Sequence, residues 1–260
     1  MTYENWFDAE LAVVDVETTG LDASSERIIE IGIIHMKAGE ILDSWGQLID
    51  PKRPIPEEVT KLTGISQSDV EGKPFFDQIA AEVRSRMEGR VCVAYNLSFD
   101  RGFITAELER VGTTWPEGPA LDPLVFAREI QRSAGSKRLT SVAERLGIEL
   151  LEAHRAVDDA IIAGKVLYAF REQLPERLED LIQLQQQWAQ QQEQQMATWR
   201  RRRRSNDEDS ENSEKPKSEP VSTTAASDEK IALGPAYVYG DEPDPLRFLF
   251  KQLPDAGSRR

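Results

Sequence analysis

Leu11-Ala12-Val13-Val14-Asp15-Val16-Glu17-Thr18-Thr19-Gly20 is the stretch on which the fold turns. Four successive apolar residues lead into two acids that stand two apart. An apolar run without polar alternation predicts a strand buried on both faces, which places it inside a sheet rather than at an edge. Side chains two apart on a strand leave it on the same side, so Asp15 and Glu17 project together. Thr18-Thr19-Gly20-Leu21-Asp22 then turns the chain and sets hydroxyls and a tight backbone beside the acids. Acids at a strand end are commonly solvated turn residues. Here the buried strand leading into them makes them candidates for chemistry.

The flanking segments build a sheet around that strand. Ile28 to Ile34 is rich in β-branched residues and predicts a second strand. Lys37-Ala38-Gly39-Glu40 has hairpin composition, and Ile41 to Ile49 predicts a third. Strands this close in sequence pair antiparallel. Pro51 to Pro56 ends the sheet locally, and Pro56-Glu57-Glu58 opens a short helix. Phe76, Ile79, Ala80 and Val83 mark a helix over residues 75–87 that Gly89 closes. Val91 to Tyr95 predicts the fourth strand, and Phe99 to Val111 an amphipathic helix with Phe103, Ala106, Leu108 and Val111 inward. Ala120-Leu121-Asp122 adds a brief fifth strand before a helix containing Leu124, Phe126 and Ala127. Thr140 caps a helix through Val142, Ala143 and Leu146, and a last helix runs from about Arg155 to Phe170. Strands first, then strands alternating with helices, define an α/β class: a mixed five-stranded sheet flanked by helices.

Composition limits the partners. Of the formal charge of −14 over 260 residues, −11 falls within residues 1–172, where 19 Lys and Arg face 30 Asp and Glu. Such a surface repels duplex DNA and gives little counterion-release affinity. Any nucleic acid is therefore gripped locally at a short end, or delivered by a partner. No apolar run is long enough to span a bilayer, so no membrane partner is expected. Residues 1–8 lack the basic-then-apolar pattern of a secretory signal. The lone Cys92, inside Val91-Cys92-Val93-Ala94, predicts a buried thiol and excludes an internal disulfide or thiolate metal site. A cytoplasmic setting fits.

After Pro175 the character changes, and the chain divides into four stretches. Residues 1–173 form the principal domain. Residues 174–200 are a glutamine-rich helical extension with Trp188, Gln192, Met196 and Trp199 along one face. Residues 201–230 are a charged linker expected to be disordered. Residues 231–260 are a tail whose apolar island, Leu246 to Leu253, suits either a helix-in-groove contact with a partner or packing on the chain itself. The Arg200 to Arg204 block suits phosphate contact or a localisation signal, and Asp207-Glu208-Asp209 can neutralise it.

Two further motifs carry acids. Asn96-Leu97-Ser98-Phe99-Asp100 follows the fourth strand, and an acid there is favoured simply as a helix cap. A chemical role for Asp100 requires that strand to lie beside the first. His154-Arg155-Ala156-Val157-Asp158-Asp159-Ala160 opens the last helix. The only other histidine, His35, ends an isoleucine-rich strand and reads as structural. Asp158 and Asp159 point about 100° apart on a helix, so one can be a ligand while the other is solvated. Oxygen ligands with one histidine and no cysteine suit Mg²⁺ or Mn²⁺. Clustered carboxylates with open positions are what two-metal phosphodiester hydrolysis requires, and a neutral imidazole can accept a proton from the attacking water.

In order and spacing, the three motifs resemble those of the DEDD family of 3′→5′ exonucleases, histidine subtype (DnaQ-like), whose best-known member is the proofreading epsilon subunit of bacterial DNA polymerase III. Ile28-Ile29-Glu30-Ile31-Gly32, Leu62-Thr63-Gly64-Ile65 and Leu121-Asp122-Pro123-Leu124 are also similar to the family, and the likeness spans roughly Leu11 to Phe170. The resemblance implies a ribonuclease-H-like fold and two bound ions. It assigns Asp15, Glu17 and Asp159 to one metal, with Asp15 bridging to a second that Asp100 supports. It makes His154 the general base, and it implies release of 5′-mononucleotides from single-stranded 3′ ends. The terminal nucleotide would be held by Thr18, Thr19, Gly20 and Leu21, with Asn96 and Phe99. The family's polymerase subunit binds its polymerase through a region after the catalytic domain, so a replication or repair partner on the tail is compatible. An RNA-trimming enzyme of the same fold and a non-catalytic recruiting module are the competing readings, and the intact acid set argues against the second.

Overall fold

A computed structural model describes residues 5–150 and 155–212. In chain order the elements are β1 (Leu11–Thr18), β2 (Ile28–Lys37), β3 (Glu40–Leu48), α1 (Glu57–Thr63), α2 (Gln67–Val70), α3 (Phe76–Met87), β4 (Val91–Val93), α4 (Leu97–Arg110), β5 (Ala120–Leu121), α5 (Pro123–Ile130), α6 (Leu139–Arg145), α7 (Ala156–Ala169) and α8 (Leu178–Asn212). The strands form one sheet in the order β3-β2-β1-β4-β5. β1 pairs antiparallel with β2 and β2 with β3, while β4 runs parallel to both β1 and β5. The apolar run that opened the analysis is thus the central strand of a mixed five-stranded sheet. The helices sort to its two faces, as expected.

Strand pleat decides which face each β1 residue serves. Leu11 and Val13 pack with Ile34, Met36 and the α7 residues Ala160, Ala163 and Leu167. Ala12, Val14 and Val16 pack with Ile31, Ile33 and residues of α3 and α4, among them Val83 and Phe103. Cys92 is buried in this second layer as a free thiol, and burial pushes it up to about 12. By the same alternation Asp15 and Glu17 face the α7 layer.

α7 lies unusually close to the sheet because two side chains are missing. A Cβ on Gly32, opposite Asp15 in β2, would sit inside the van der Waals radius of the Ala156 carbonyl. A Cβ on Gly164 in α7 would strike the Met36 sulfur. Glycine is used at both for close approach, not for an unusual backbone angle.

Several elements differ from the sequence expectation. β4 stops at Val93 rather than Tyr95. The α6 helix begins one residue before Thr140, because Val142 already donates to the carbonyl of Arg138 at 3.0 Å; Thr140 lies inside the first turn and is not the cap. In α4 the inward face carries Glu107, buried and paired with Arg27 at 2.6 Å, whereas Val111 is exposed. His35 has the structural role expected, with its Nε2 2.8 Å from the carbonyl of Arg86.

After Pro175 the chain forms the glutamine-rich helix that was expected, α8, with bounds Leu178–Asn212. Leu174, Leu178 and Leu181 enter the same core as β1 and α7, and Trp188 meets Phe126 edge-on. No helix among the described residues is long and apolar enough to cross a membrane. Residues 213–230 and the 231–260 tail with Leu246 to Leu253 lie outside the described residues.

If the Gly32 gap sets the α7 position, Gly32→Ala should lower the unfolding free energy by about 1–3 kcal/mol, the range for overpacking. Gly135→Ala, with open space around it, should change it by less than about 0.5 kcal/mol. Urea denaturation of both variants checks this, and equal values would show that α7 does not depend on the gap.

Candidate active site

β1 delivers Asp15 and Glu17 to the face on which the first turns of α7 lie. The ligand atoms of Asp15, Glu17 and Asp159 fall within 4.8 Å of one another. Asp159 reaches them because α7 is pinned at its start. Glu30 stands opposite Glu17 in the β1–β2 register, and its buried carboxylate accepts from the Ala156 amide at 3.1 Å and from the Arg155 guanidinium at 2.7 Å. A carboxylate at a helix N-terminus satisfies an orphan amide and complements the helix dipole. Asp158 is not in the cluster.

Asp100 arrives from the other layer. It lies in the first turn of α4, 2% exposed, and its Oδ1 accepts from the Val16 amide at 3.1 Å. The physical reason lies in the short β4. Strand pairing with β1 ends at Val13–Val93, so the next amides on that edge of β1 lack a strand partner, and a carboxylate takes the place. The chain enters α4 through Asn96, whose backbone is left-handed (φ 72°), a conformation asparagine tolerates better than most residues. The carboxylate of Asp122, at the end of β5, accepts from the amides of Asn96, Leu97 and Leu124 at 2.9, 3.1 and 2.9 Å. It therefore holds the starts of α4 and α5 together.

The electrostatics are those of crowded acids. Burial pushes Asp15 well above the usual carboxylate range, and Asp100, Asp159, Glu17 and Glu30 add to the effect. Glu17 is raised to about 8 by burial, then by Asp159, Glu30 and Asp100, with Arg155 opposing. Asp100 is raised by burial against two amide hydrogen bonds. Asp122 is raised to about 6, again by burial against the amides it accepts from. Buried like charges this close are tolerated when protonated or when a cation neutralises them. An all-oxygen donor set suits a hard divalent cation, so these residues fit the ions that the sequence implied.

Of the residues singled out in the sequence, Asp15, Glu17 and Asp159 come together and Asp100 stands against the backbone between the first two. His154 lies outside the described residues. Thr18 and Thr19 are buried and their hydroxyls are engaged within the turn, Thr18 donating to the Gly20 carbonyl at 2.6 Å and Thr19 to Glu26 at 2.5 Å. Leu21 lies half-buried on that turn, and Phe99, also half-buried, packs on Phe103 with ring centroids 4.9 Å apart. Glu30 and Asp122 were read only as members of lesser motifs, and their role in anchoring helices had no signal beyond an acid next to a strand.

A ribonuclease-H-like sheet with a carboxylate cluster at the end of its central strand is the arrangement of an exonuclease domain. The RNase_T exonuclease family model matches residues 12–167. The chain belongs to this exonuclease family, as a DnaQ-like 3′→5′ exonuclease domain. It is 39% identical over 175 residues to the PolC-type DNA polymerase III of Clostridium perfringens, covering 67% of this chain and 12% of the polymerase. It thus spans only a small part of the curated relatives it matches. Among solved structures it resembles Exonuclease X in complex with 5′-overhanging duplex DNA (TM-score 0.53, 21% identity, 67% of this chain and 99% of that one). It also resembles the zinc-bound Escherichia coli exonuclease I–single-stranded DNA complex (TM-score 0.60, 20% identity, 66% of this chain and 42% of that one).

The raised carboxyls give stability a definite pH slope. Between about 4.5 and 8 the unfolded chain has lost the Glu17 proton while the folded chain retains it. The folded state then binds more protons, so unfolding free energy falls as pH rises through that window. Asp15 and Asp100 act in the same direction. Metal-free protein should therefore melt at lower temperature at pH 8 than at pH 5.5, and Mg²⁺ or Mn²⁺ should raise the melting temperature more at pH 8. Scanning calorimetry with and without the ion checks both signs.

Proposed function

We propose that the chain is a 3′→5′ exonuclease that hydrolyses single-stranded nucleic-acid ends to 5′-mononucleotides with two Mg²⁺ or Mn²⁺ ions. The observation that carries this reading is the convergence of the Asp15, Glu17 and Asp159 carboxylates within 4.8 Å, with Asp100 beside them. When bound, the ions supply Lewis acidity and charge stabilisation at the scissile phosphate. Asp15, Glu17 and Asp159 would hold one of them, and Asp15 with Asp100 would support the other. His154, at the residue before the Glu30–Arg155 anchor, takes the proton of the attacking water at an imidazole nitrogen. The turn formed by Thr18, Thr19, Gly20 and Leu21, with Asn96 and Phe99 at the start of α4, borders the cluster and holds the terminal nucleotide. These positions flank the acids from two different elements, which supports that assignment.

DNA is the favoured substrate because the relatives that the chain resembles are DNA polymerases, and the same likeness supports a replication or repair setting, which we place in the cytoplasm. A DNA polymerase or another replication protein is the fitting partner for the tail. The acidic domain surface favours a short single-stranded terminus over duplex, since phosphates away from the site meet repulsion.

The test is release of labelled mononucleotide from 3′-end-labelled DNA, matched RNA and mismatched duplex, with and without Mg²⁺. Asp15→Ala should reduce Mg²⁺-dependent release by roughly 10²–10³-fold or more, the scale on which losing one charge-stabilising group acts, with circular dichroism unchanged. Full activity in that variant would sink the proposal, and faster turnover of RNA would move the substrate to the ribonuclease reading. Deleting residues 205–260 should leave turnover of short oligonucleotides unaltered, because α8 is anchored on the domain before the cut, by Gln192 among others. A large loss would assign the tail to substrate binding.

A further inference from the structure

The family match ends at residue 167, yet α8, which follows it, reaches back into the framework of the site. Gln185 lies half-buried against the free edge of β5. Its Oε1 accepts from the Asp122 amide at 2.7 Å, and its Nε2 donates to the Ala120 carbonyl at 3.1 Å. One bond accepted and one donated, two residues apart on the same edge, is what a neighbouring strand would provide. Asp122, so held, accepts from the Asn96 and Leu97 amides. Those residues form the left-handed entry to α4, a conformation that persists where the surroundings fix it. One turn on, Asp100 accepts from Val16 between the two β1 acids.

We infer that Gln185 is a positioning residue for the carboxylate cluster, holding Asp122 and through it the start of the helix that carries Asp100. The inference rests on reading that cluster as the metal site. α8 supplies its own control. Gln192, buried on the same helix, also bonds to the domain, but its Nε2 donates to the Val125 carbonyl at 3.0 Å and to Glu129 at 2.9 Å and its Oε1 accepts from Arg128 at 3.4 Å, none of these partners being Asp122. If α8 merely added stability, the two glutamines would be equivalent.

The experiment compares full-length Gln185→Met and Gln192→Met, substitutions that keep side-chain volume and remove every hydrogen bond of the amide. Gln185→Glu retains the acceptor for the Asp122 amide. In metal-free protein, amide hydrogen exchange at Asn96 and Leu97 is expected to accelerate in Gln185→Met, relative to its global stability, and not in Gln192→Met. Calorimetric titration with Mn²⁺ should show affinity weakened several-fold in Gln185→Met, below the 10–100-fold typical of direct outer-shell partners. It should show no change in Gln192→Met and partial recovery in Gln185→Glu. Wild-type exchange and Mn²⁺ affinity in Gln185→Met would overturn the inference, as would an equal effect from Gln192→Met. Asp15→Ala separates the two levels: undiminished Mn²⁺ binding there would refute the cluster itself, whereas its loss beside a normal Gln185→Met would refute only the role of Gln185.

Discussion

Asp15, Glu17, Asp100 and Asp159 bring four carboxyl groups to the end of one buried strand, and their mutual repulsion is what the surrounding structure must resist. Two unit charges 4 Å apart repel by about 4 kcal/mol at an effective dielectric constant near 20, a large fraction of the stability of a typical domain. Burial adds to the penalty, since it raises Asp15, Glu17 and Asp100 in the same direction. The acids therefore stay together because other contacts hold their supports in place. A divalent cation bound there would relieve the strain and would gain its affinity from the same source. Groups held close against their repulsion are already arranged for a positive charge.

The supports share one device. Two of the four acids sit in the first turns of helices, and each of those helices is tethered at its start by a further acid at the sheet. Glu30 in β2 accepts from the first amide of α7, and Asp122 after β5 accepts from the first amide of α4. A buried carboxylate satisfies helix amides at fixed positions, so each helix is set by strong, directional bonds close to its chemical residue. Along the sheet normal the glycine at position 32 lets α7 settle onto β2 opposite Asp15. Lateral position and depth are thus set by different residues.

Much of this was legible in the sequence. The unbroken apolar run of β1 marked a central strand, and a spacing of two fixed Asp15 and Glu17 on one face, where the structure has them. The antiparallel hairpin and the helices after each later strand followed from local composition. The site at Asp100 was harder to read, because a helix cap and a site acid look identical in sequence; the early end of β4 is what exposes the Val16 amide to it. Glu107 drew no reading from helical periodicity, since a buried acid is hidden from a hydrophobic pattern and its partner Arg27 lies 80 positions away. Gln185 offered no signal at all among its neighbouring glutamines. Its role depends on which amide meets the β5 edge, and that is settled only by how α8 packs.

The closure of that edge also bears on how the molecule behaves among its own copies. A sheet edge with open amides and carbonyls is a template on which a strand from another chain can add. β3 meets this at one side with an outer strand on which Glu40 and Asp43 are exposed, beside the exposed Ile41 and Leu42. At the other side β5 is only two residues long, and the backbone groups flanking it are occupied by a side-chain amide, chemically the same group as a peptide bond. The helix that follows the family domain is in this sense a false sixth strand, which ends the sheet within one molecule and leaves nothing there for a second to extend.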